Sequence, residues 1–600
     1  MGTGLAEILS VPVYRALDTD RDGNVLIGTD ESGTMQLLEL SSDGIATALT
    51  ALDGACTGRY LPGRRAVLVG FDDRGNENAQ LSTLDLVDTE LPSDRDRLRP
   101  LVHDPRFVHR VTDVTDTHLV YLTNRRNRVD FDIVVRDLDS GAERMVYTGG
   151  GGVADAALAP NARWLAFTRS GRPALSDQLV LLDLAIGEVQ PLTDADQPDR
   201  YLRPRFTDDG GLVVTTNRGR DLTGLARYDL DTGGWSWLAE PAHHDLSGWL
   251  SPDASMILVA ENDDGASRVS LRGPAGTAPR VVALPAIGCI DSPLPEPRWA
   301  PDGSAVLVSF SGPTVPGDAL RVDAATGAVT VLTASARHLP SRLSDPSSHR
   351  ITTADGESVP CFLYPAAAGA PADRAGSVVL HLHGGPEEQA KRTFSATIAA
   401  LTHAGHAVVV PNVRGSTGYG KRWYSMDDGR RRFDAFADLA AVHAYLPSLG
   451  LDPKRAALWG ASYGGYLVLA GLAFQPRLWA AGVDIVGISS LVTFLEHTSP
   501  YRRATREREY GTLARDREFL VEASPMTRID DVRAPLFVIH GRNDPRVPVS
   551  EAAQLYDALI ANGVECELHV FDDEGHGLTK RANKVNAYAR AFEFLGRHLS

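Results

Sequence analysis

Ser462 is the first candidate for a reactive side chain, and it lies in the motif GASYG at 460–464. An apolar run at 456–459 leads into the motif, and a run of helix-forming residues follows it. This pattern predicts a strand, a sharp turn and a helix, with the serine at the tip of the turn as in a nucleophile elbow. Glycines two residues either side of the serine allow strand and helix to pass closely. The motif is short, so its meaning depends on residues elsewhere in the chain.

Two further residues supply what a serine nucleophile needs, because its hydroxyl reacts only when a base takes its proton and a third group orients that base. Asp544 follows the apolar run LFVI at 536–539, and His576 follows the run ELHVF at 567–571. The chain order of serine, acid and histidine is the order found in α/β-hydrolases. Asp572 and Asp573 are alternative acids, but they lie too close in sequence to His576 to suit the usual arrangement.

An oxyanion hole requires backbone N–H groups near the serine, and the residue after the nucleophile, Tyr463, supplies one. The second donor is expected in the loop after an early strand, which here is HGGP at 383–386 following VVLHL at 378–382. We predict that this donor is the N–H of Gly385. The nearby His383, and His540 before Asp544, are predicted to be structural rather than catalytic.

The second half of the chain alternates apolar runs with helical patterns, which predicts a mostly parallel, doubly wound sheet covered on both faces. A hairpin around Asp355-Gly356 precedes it, and the whole α/β-hydrolase domain is predicted to span 349–600 after a linker at 334–348. Catalytic groups are then expected on loops at the carboxyl ends of strands. The predicted strands are 378–382, 406–410, 456–459, 481–485, 536–539 and 567–571, and the predicted helices are 393–404, 434–446, 463–473, 550–562 and 583–599.

The first half repeats one pattern seven times, a short apolar strand, a polar turn and a second strand that ends in a small-residue turn. The copies begin roughly 42–52 residues apart, a period typical of β-propeller blades. The sequence therefore predicts a seven-bladed all-β propeller over 24–333, preceded by an N-terminal segment at 1–23. Two β-sandwiches are the alternative interpretation.

Composition limits the classes of function. The chain has 600 residues, which is too many for one core, and its net charge of −17 disfavours nucleic acid or an anionic membrane as a partner. Four scattered cysteines disfavour a disulfide framework or a zinc site and suit a reducing compartment. No basic leader followed by an apolar run opens the chain, and no run reaches about 18 apolar residues. These features predict a cytoplasmic protein that spans no membrane, and the proposed chemistry needs no metal or cofactor.

Five motifs together resemble the prolyl oligopeptidase family, and its acylaminoacyl-peptidase-like branch fits best. They are HGGP at 383–386, NVRGSTGYG at 412–420, GASYGG at 460–465, HGRNDPRVP at 540–548 and GHG at 575–577. The resemblance implies a seven-bladed propeller capping an α/β-hydrolase domain, and a propeller that restricts access to the catalytic chamber. It also implies short peptides as substrates, and a homo-oligomer is a further possibility because the family often forms them.

Two departures from the family pattern bear on the substrate. Dipeptidyl aminopeptidases of the family hold the free amino terminus with paired glutamates from the propeller, whereas the first Glu-Glu pair here, at 387–388, follows the oxyanion loop. This tells against dipeptidyl release. In place of the Asp-Trp-type pair of the acyl-peptide branch, the chain reads ISSL at 488–491.

Candidate substrate-binding residues follow from position. Leu491, Val492 and Phe494 are predicted to line an apolar pocket for the side chain before the scissile bond, with plain core packing as the alternative. Arg546, two residues after the candidate acid, is a candidate for holding a substrate carbonyl or carboxylate, with a salt bridge as the alternative.

The sequence therefore predicts a serine peptidase that cleaves short peptides or acyl-amides through an acyl-enzyme and releases N-acylated or N-terminal residues. An esterase or amidase acting on small molecules would use the same triad. A dipeptidyl or aminopeptidase of the same family is another alternative, and a propeller scaffold with a vestigial hydrolase half is the remaining one.

Overall fold

A computed structural model describes residues 3–87, 89–273, 277–340, 343–369 and 371–600. The chain forms two compact units. The propeller unit consists of Pro12–Asp73 and Glu77–Ser335, and the hydrolase unit consists of Met1–Val11, Arg74–Asn76 and Ala336–Ser600. Among the helices described, none is both long and apolar enough to cross a membrane.

The propeller unit contains seven antiparallel sheets of four strands each, which confirms the predicted seven-bladed propeller. Every blade is built from four consecutive strands, because each strand pairs with its neighbour through a short turn. Blade 1 holds β1 (Tyr14–Thr19), β2 (Val25–Thr29), β3 (Gln36–Leu40) and β4 (Ala46–Ala48); blade 2 holds β5 (Cys56–Tyr60), β6 (Ala66–Phe71), β7 (Gln80–Asp85) and β8 (Arg99–Val102); blade 3 holds β9 (His109–Val114), β10 (His118–Thr123), β11 (Asp132–Asp137) and β12 (Glu143–Tyr147); blade 4 holds β13 (Val153–Leu158), β14 (Trp164–Ser170), β15 (Asp177–Asp183) and β16 (Val189–Pro191). Blade 5 holds β17 (Tyr201–Phe206), β18 (Gly211–Thr216), β19 (Gly224–Asp229) and β20 (Trp235–Ala239); blade 6 holds β21 (Leu246–Leu250), β22 (Ile257–Asp263), β23 (Ala266–Arg272) and β24 (Arg280–Val282); blade 7 holds β25 (Arg298–Trp299), β26 (Ala305–Gly312), β27 (Val315–Asp323) and β28 (Val329–Val331).

The seven apolar repeats in the sequence are the second strands of the blades, not the first. The first strand of blade 1 begins at Tyr14, so the structure starts the propeller before the predicted boundary at residue 24. This strand is hard to recognise from sequence because it reads YRALDT, with Arg15 and Asp18 interrupting its apolar residues. Blades 1 and 7 close the ring by packing, and the Ser309 hydroxyl donates a hydrogen bond of 3.1 Å to the Ala16 carbonyl.

The hydrolase unit is built on one eight-stranded sheet in the order β29-β30-β32-β31-β33-β34-β35-β36. The first two pairings are antiparallel and the remaining five are parallel, as predicted for an α/β-hydrolase. The strands are β29 (Ser347–Thr352), β30 (Ser358–Tyr364), β31 (Val378–Leu382), β32 (Ala407–Pro411), β33 (Ala456–Ala461), β34 (Ala481–Ile485), β35 (Leu536–Gly541) and β36 (Cys566–Phe571). The helices are α1 (Thr3–Leu9), α2 (Ala396–His403), α3 (Gly420–Tyr424), α4 (Arg432–Tyr445), α5 (Tyr463–Phe474), α6 (Leu491–His497), α7 (Pro500–Tyr510), α8 (Arg517–Glu522), α9 (Ser550–Ala561) and α10 (Arg581–His598). Short 3-10 helices cover Arg95–Arg97, Ser335–His338, Ala372–Arg374, Gly429–Arg431, Leu446–Leu449, Pro453–Arg455 and Pro525–Asp531.

The central strands are apolar throughout because both faces of the sheet are buried. In β31, Val378 and Leu380 belong to the core cluster on one face, while Val379 belongs to the cluster on the other. The second cluster also contains Ile8 and Leu9 of α1, so the start of the chain belongs to the hydrolase core rather than to a separate N-terminal segment.

Five of the described helices, α1, α3 and α6 to α8, lie where no helix was predicted from the sequence. The reason is clearest for α7, whose sequence PYRRATREREY is too polar to display an apolar face. Its buried residues are Glu509 and Tyr510, so ion pairs rather than an apolar stripe hold its inner face. At the predicted linker, the hydrolase unit resumes at Ala336 and its first sheet strand begins at Ser347.

Candidate active site

Ser462 lies between β33 and α5, at the carboxyl end of a central strand. Its backbone has φ +58° and ψ −119°, a conformation that a residue with a side chain rarely adopts. The surrounding structure holds this strain, since the Ser462 N–H donates a hydrogen bond of 2.9 Å to the Ile485 carbonyl on the neighbouring strand. The local geometry is therefore the strand–turn–helix elbow that the GASYG motif predicts.

The two glycines of the motif are required by close backbone approach. A Cβ on Gly460 would lie 2.2 Å from the Gly464 carbonyl oxygen, and a Cβ on Gly464 would lie 2.2 Å from that of Leu382. Neither approach is possible for a larger residue without moving the backbone. The glycines therefore let the serine turn pack against β31, the strand that leads into the HGGP loop.

Asp544 and His576 meet at the carboxyl ends of β35 and β36. The His576 Nδ1 donates a hydrogen bond of 2.7 Å to Oδ2 of Asp544. The other carboxylate oxygen accepts the backbone N–H groups of Arg546 at 2.8 Å and Val547 at 3.0 Å, which fixes the carboxylate. Because Nδ1 holds its proton against Asp544, Nε2 is the ring nitrogen left to accept a proton from a hydroxyl.

His540 lies beside this pair without joining it. Its Nε2 donates to the Val547 carbonyl at 2.9 Å and lies 3.8 Å from Oδ2 of Asp544. The ring is fully buried, and this burial lowers the pKa of His540 below its ordinary value, so the ring stays neutral. The contact supports the acid loop, in agreement with the structural role predicted for His540.

The HGGP loop is held in place by His383. Its Nδ1 donates a hydrogen bond of 2.7 Å to the Gly384 carbonyl, and its Nε2 lies 2.9 Å from the Ser416 hydroxyl oxygen. Burial lowers the pKa of His383, so it too stays neutral. His383 therefore fixes the loop that presents Gly385, consistent with the predicted structural role.

A pocket of about 250 Å³ brings most of the predicted site residues together. Ser462, His576, Gly385 and Arg546 all line it, and so does Phe494. The complete described lining is Gly384, Gly385, Glu388, Ala461, Ser462, Ile488, Phe494, Arg502, Arg506, Tyr510, Arg546, Val547 and His576.

Leu491 and Val492, which the sequence suggested for the pocket wall, are not among its described lining residues. Both are buried in the hydrophobic core of the unit. They lie in α6, and successive helical residues point in different directions, so neighbours in sequence do not share one wall. Core packing, the alternative named for these two residues, is what the structure contains.

Sequence reasoning missed the contribution of α7, which supplies Arg502, Arg506 and Tyr510 to the pocket. Nη1 of Arg506 donates to the Gly385 carbonyl at 3.3 Å, and the same nitrogen lies 2.9 Å from Glu509 and 3.3 Å from Glu387. The run RRATRERE at 502–509 could have indicated this helix, because it places opposite charges four residues apart at Arg503 and Glu507 and three apart at Arg506 and Glu509.

A buried chain of ionic contacts connects the two predicted oxyanion residues. The Tyr463 hydroxyl donates a hydrogen bond of 3.0 Å to Asp427, which pairs with Arg432. Arg432 lies 2.8 Å from Glu509, and Glu509 pairs with Arg506, which contacts Gly385. The side chain of Tyr463 thus anchors one end of this chain while its backbone N–H begins α5 beside Ser462.

Burial dominates the electrostatics of that chain. It raises the pKa of Asp427 to about 6, even though Arg432 and the Tyr463 hydroxyl act in the opposite direction. Burial also raises the pKa of Glu509 well above its ordinary value, with Glu387 reinforcing the shift. The two arginines act against this effect of burial, so removing either of them would leave its carboxylate partners buried without a compensating charge.

Comparison with known proteins places this site in a family. Residues 392–600 match the prolyl oligopeptidase family. Dipeptidyl aminopeptidase BIII of Pseudoxanthomonas mexicana is 30% identical over 408 residues, which is 64% of this chain and 59% of the relative. The acylamino-acid-releasing enzyme of Arabidopsis thaliana is 30% identical over 212 residues, which is 33% of this chain and 27% of the relative. The chain thus matches less than two thirds of the length of each of these relatives.

The fold extends this similarity over both units. The structure of a puromycin-hydrolyzing peptidase of Mycobacterium tuberculosis matches with a TM-score of 0.86 and 21% identity, covering 100% of this chain and 96% of that one. The resemblance predicted from the motifs is confirmed for residues 392–600, which match the prolyl oligopeptidase family.

Proposed function

We propose that this protein is a serine peptidase that cleaves short peptides through an acyl-enzyme intermediate. The observation that carries the proposal is the 2.7 Å hydrogen bond from His576 to Asp544, in a pocket onto which the strained elbow of Ser462 opens. Ser462 Oγ attacks the substrate carbonyl while Nε2 of His576 takes its proton. His576 returns that proton to the leaving amine, and water then releases the acyl group. Asp544 keeps the imidazole oriented and stabilises its charged form.

The tetrahedral intermediate carries a negative oxygen that needs fixed donors. We assign this role to the backbone N–H groups of Tyr463 and Gly385. The assignment is supported by the buried ionic chain, which connects the Tyr463 hydroxyl to the Gly385 carbonyl through Arg432 and Arg506. A rigid connection between the two residues suits a site in which donors must not reorganise during reaction.

The proposed substrates are peptides from which an N-acylated or N-terminal residue is released. The names of the relatives support peptide chemistry, since they include a dipeptidyl aminopeptidase and an acylamino-acid-releasing enzyme. The pocket has apolar side chains from Ile488, Phe494 and Val547, which favour an apolar residue before the scissile bond. Arg546 lines the same pocket and is proposed to hold a substrate carbonyl or carboxylate.

A free amino terminus is a second candidate for recognition, and one observation favours it. Glu388 is an exposed carboxylate on the pocket wall, placed there by the loop that follows Gly385. A carboxylate at this position suits a substrate ammonium group. If the substrate is recognised in this way, the enzyme is an aminopeptidase. Glu388 then takes the role of the paired propeller glutamates of the dipeptidyl aminopeptidases.

Replacing Ser462 by alanine tests the central proposal. The expected result is a fall in turnover of about 10⁴–10⁶-fold with the fold intact, because the nucleophile is lost while the rest of the site remains. Ser425→Ala is the matched control, since its hydroxyl donates only to the local Arg422 carbonyl at 3.2 Å. Turnover by Ser462→Ala close to that of the control would refute the proposal.

Two substrates that differ only in the N-terminal acetyl group distinguish acyl-peptide release from aminopeptidase activity. We expect acetyl-Phe-p-nitroanilide to be cleaved faster than Phe-p-nitroanilide if acyl-peptide release is correct. If the free amine is preferred, Glu388→Gln should lower its kcat/KM by about fivefold, the upper range for an exposed ion pair, and leave the acetylated substrate unaffected. Turnover of p-nitrophenyl acetate without cleavage of either anilide would instead indicate an esterase.

The proposed location is the cytoplasm. The four cysteines, Cys56, Cys289, Cys361 and Cys566, are all buried and unpaired with one another, which fits a reducing compartment.

A further inference from the structure

The propeller unit contains a cavity of about 610 Å³ that the proposed peptidase chemistry does not use. Residues from blades 1, 2, 3, 5, 6 and 7 line it, so it lies on the axis that the blades share. Its volume falls within the range of sites that bind small molecules.

Four arginines project into this cavity from the first strands of their blades. Arg59 is on β5, Arg203 and Arg205 are on β17, and Arg298 is on β25. Within the described residues, the guanidinium groups of Arg59 and Arg298 have no hydrogen bond and no ion pair within 4.0 Å. The Nε atoms of Arg59 and Arg203 are buried without an acceptor. A buried donor without an acceptor costs free energy, so an acceptor that enters the cavity can form a favourable hydrogen bond there.

The carboxylates of the cavity do not supply the missing acceptors, because their oxygens are held by backbone amides. Asp18 accepts the N–H groups of Thr19 and Tyr60, each at 3.0 Å. Asp113 accepts those of Val114 at 3.1 Å and Leu158 at 2.9 Å. Both aspartates therefore connect neighbouring parts of the propeller backbone.

Two further acids lie near the four arginines. Glu296 lies 3.7 Å from Nη1 of Arg203, and the buried Asp155 interacts electrostatically with Arg203 and Arg205. Several other charges that line the cavity are paired with each other or with side chains outside it. Arg21 pairs with Asp116 at 2.8 Å, and Arg65 pairs with Glu39 and lies 3.5 Å from Asp20. Of the four arginines, Arg203 lies near Glu296 and Arg205 donates to the Pro204 carbonyl at 2.7 Å, so the shortage of acceptors is greatest at Arg59 and Arg298.

The charges of these two arginines repel each other across the cavity that both of them line. The Arg59 guanidinium is the main reason that the pKa of Arg298 is lowered to about 10, and burial adds to the effect. Two guanidinium groups held together in this way are stabilised when an anion lies between them.

The backbone of β17 is distorted where it presents its two arginines. Arg203 has φ +53°, and the register with β18 shifts between Leu202 and Arg205. This is a β-bulge in which an arginine occupies a strained conformation, a feature that clusters at binding sites. The Arg203 guanidinium also lies 5.2 Å from the ring centre of Trp249, which lines the cavity.

We propose that the axial cavity of the propeller is a binding site for a small molecule that carries two or more phosphate or carboxylate groups. Arg59 and Arg298 bind one oxyanion between them, and Arg203 and Arg205 bind another. The net charge of −17 repels anions from the molecule as a whole, so the attraction is local to this cluster. This site is independent of Ser462 chemistry.

Isothermal titration of the full chain with pyrophosphate and with citrate, at constant ionic strength, tests the proposal. We expect saturable binding of at least one probe, and its preference for pyrophosphate or citrate then assigns phosphate or carboxylate chemistry. Arg59→Met/Arg298→Met should weaken binding by about tenfold or more, since charge-assisted hydrogen bonds are lost. Arg268→Met is the control, because Arg268 is exposed and pairs with Asp263 at 2.6 Å.

Thermal unfolding keeps the test decisive if the double variant behaves unexpectedly. Without anion, the double variant should unfold at the same or a higher temperature than the wild type, because like-charge repulsion is removed. With anion, only the wild type and Arg268→Met should gain stability. The single variant Arg298→Gln should show the same loss if the double variant does not fold.

Absence of saturable binding to the wild type, or equal affinity in the arginine variants, would overturn the proposal. The same titration with Ser462→Ala protein separates this outcome from any failure of the peptidase proposal.

Discussion

The hydrogen bond between His576 and Asp544 decides which nitrogen of the imidazole is free to act as a base. Asp544 receives Nδ1 on one oxygen and two backbone N–H groups on the other, so its position does not depend on substrate. The role of His576 as a base therefore depends on Asp544 accepting the hydrogen bond from Nδ1.

Asp544→Asn tests that dependence. An amide can present a donor to Nδ1, which favours the wrong tautomer and leaves Nε2 protonated. We expect turnover to fall by about 10⁴-fold, the size of effect known for this change in a Ser-His-Asp triad. Asp572→Asn is a suitable control, because Asp572 lies on the surface and pairs with Arg542. Activity within a few-fold of the control would contradict the assignment of Asp544.

A second prediction at this scale concerns Asp484, which is only 1% exposed on β34, next to the serine-bearing strand. Burial raises its pKa to about 8. A carboxyl with a raised folded pKa stabilises the fold fully below its unfolded pKa, about 4, and this contribution is lost as pH rises towards the folded pKa.

Asp484→Asn should remove this pH dependence. The free energy of unfolding of the variant, measured with urea, should increase relative to the wild type by up to about 1.4 kcal/mol per pH unit between pH 4 and 8. A difference between the two proteins that stays constant across this range would show that Asp484 ionises normally in the fold.

At the scale of elements, the sequence predicts the strands of the hydrolase sheet and the helices that follow them closely. It succeeds because runs such as Val378–Leu382 are buried on both faces, and a turn with glycines separates each from its helix. The elbow at Ser462 was predictable because the close approach at Gly460 and Gly464 excludes other residues.

The sequence does not predict α6 to α8, and it therefore misses the three pocket residues that α7 supplies. Helix α7 buries Glu509 and presents Arg506 to the pocket, so its inner face reads as a solvent-exposed pattern. The partners that make this face stable, Asp427 and Arg432, lie more than 70 residues earlier in the chain. Such pairing is a property of the tertiary structure and leaves no local periodicity.

Arg432→Met tests the importance of this network. The change leaves Asp427 and Glu509 buried without their shared cation, at an expected cost of about 3–5 kcal/mol in the free energy of unfolding. It should also lower kcat more than it raises KM, because the anchor of the Tyr463 side chain is lost. Arg431→Met is the control, since Arg431 is 54% exposed and its carboxylate contact is 4.0 Å long. Equal free energies of unfolding of the two variants would contradict a stabilising role for the buried ion pairs.

At the scale of the whole molecule, the chain begins in the hydrolase unit, forms the propeller and then returns to the hydrolase unit. The seven-fold repeat was visible in sequence because the second strand of every blade is strongly apolar. The first strands were not, since they carry residues such as Arg59 and Arg298 that line the axial cavity. Local sequence patterns therefore could not predict where the propeller starts, or that α1 belongs to the hydrolase unit.

The role of α1 leads to a prediction about stability. Ile8 is fully buried in the core cluster of the hydrolase unit, so Ile8→Ala should lower its free energy of unfolding by about 2–5 kcal/mol. Glu7→Ala, an exposed position in the same helix, should have almost no effect. Hydrogen exchange can assign the change to a unit, and faster exchange confined to the propeller strands would contradict this placement of α1.

The central claim is that Ser462 is a nucleophile activated by His576. Treating the protein with a fluorophosphonate and mapping the adduct by mass spectrometry tests it most directly, because this reagent reacts with activated serines. We expect one adduct, on Ser462, and almost no labelling of Ser462 in the His576→Ala variant. A wild-type protein that remains unlabelled, or labelling of Ser462 that persists without His576, would contradict the claim.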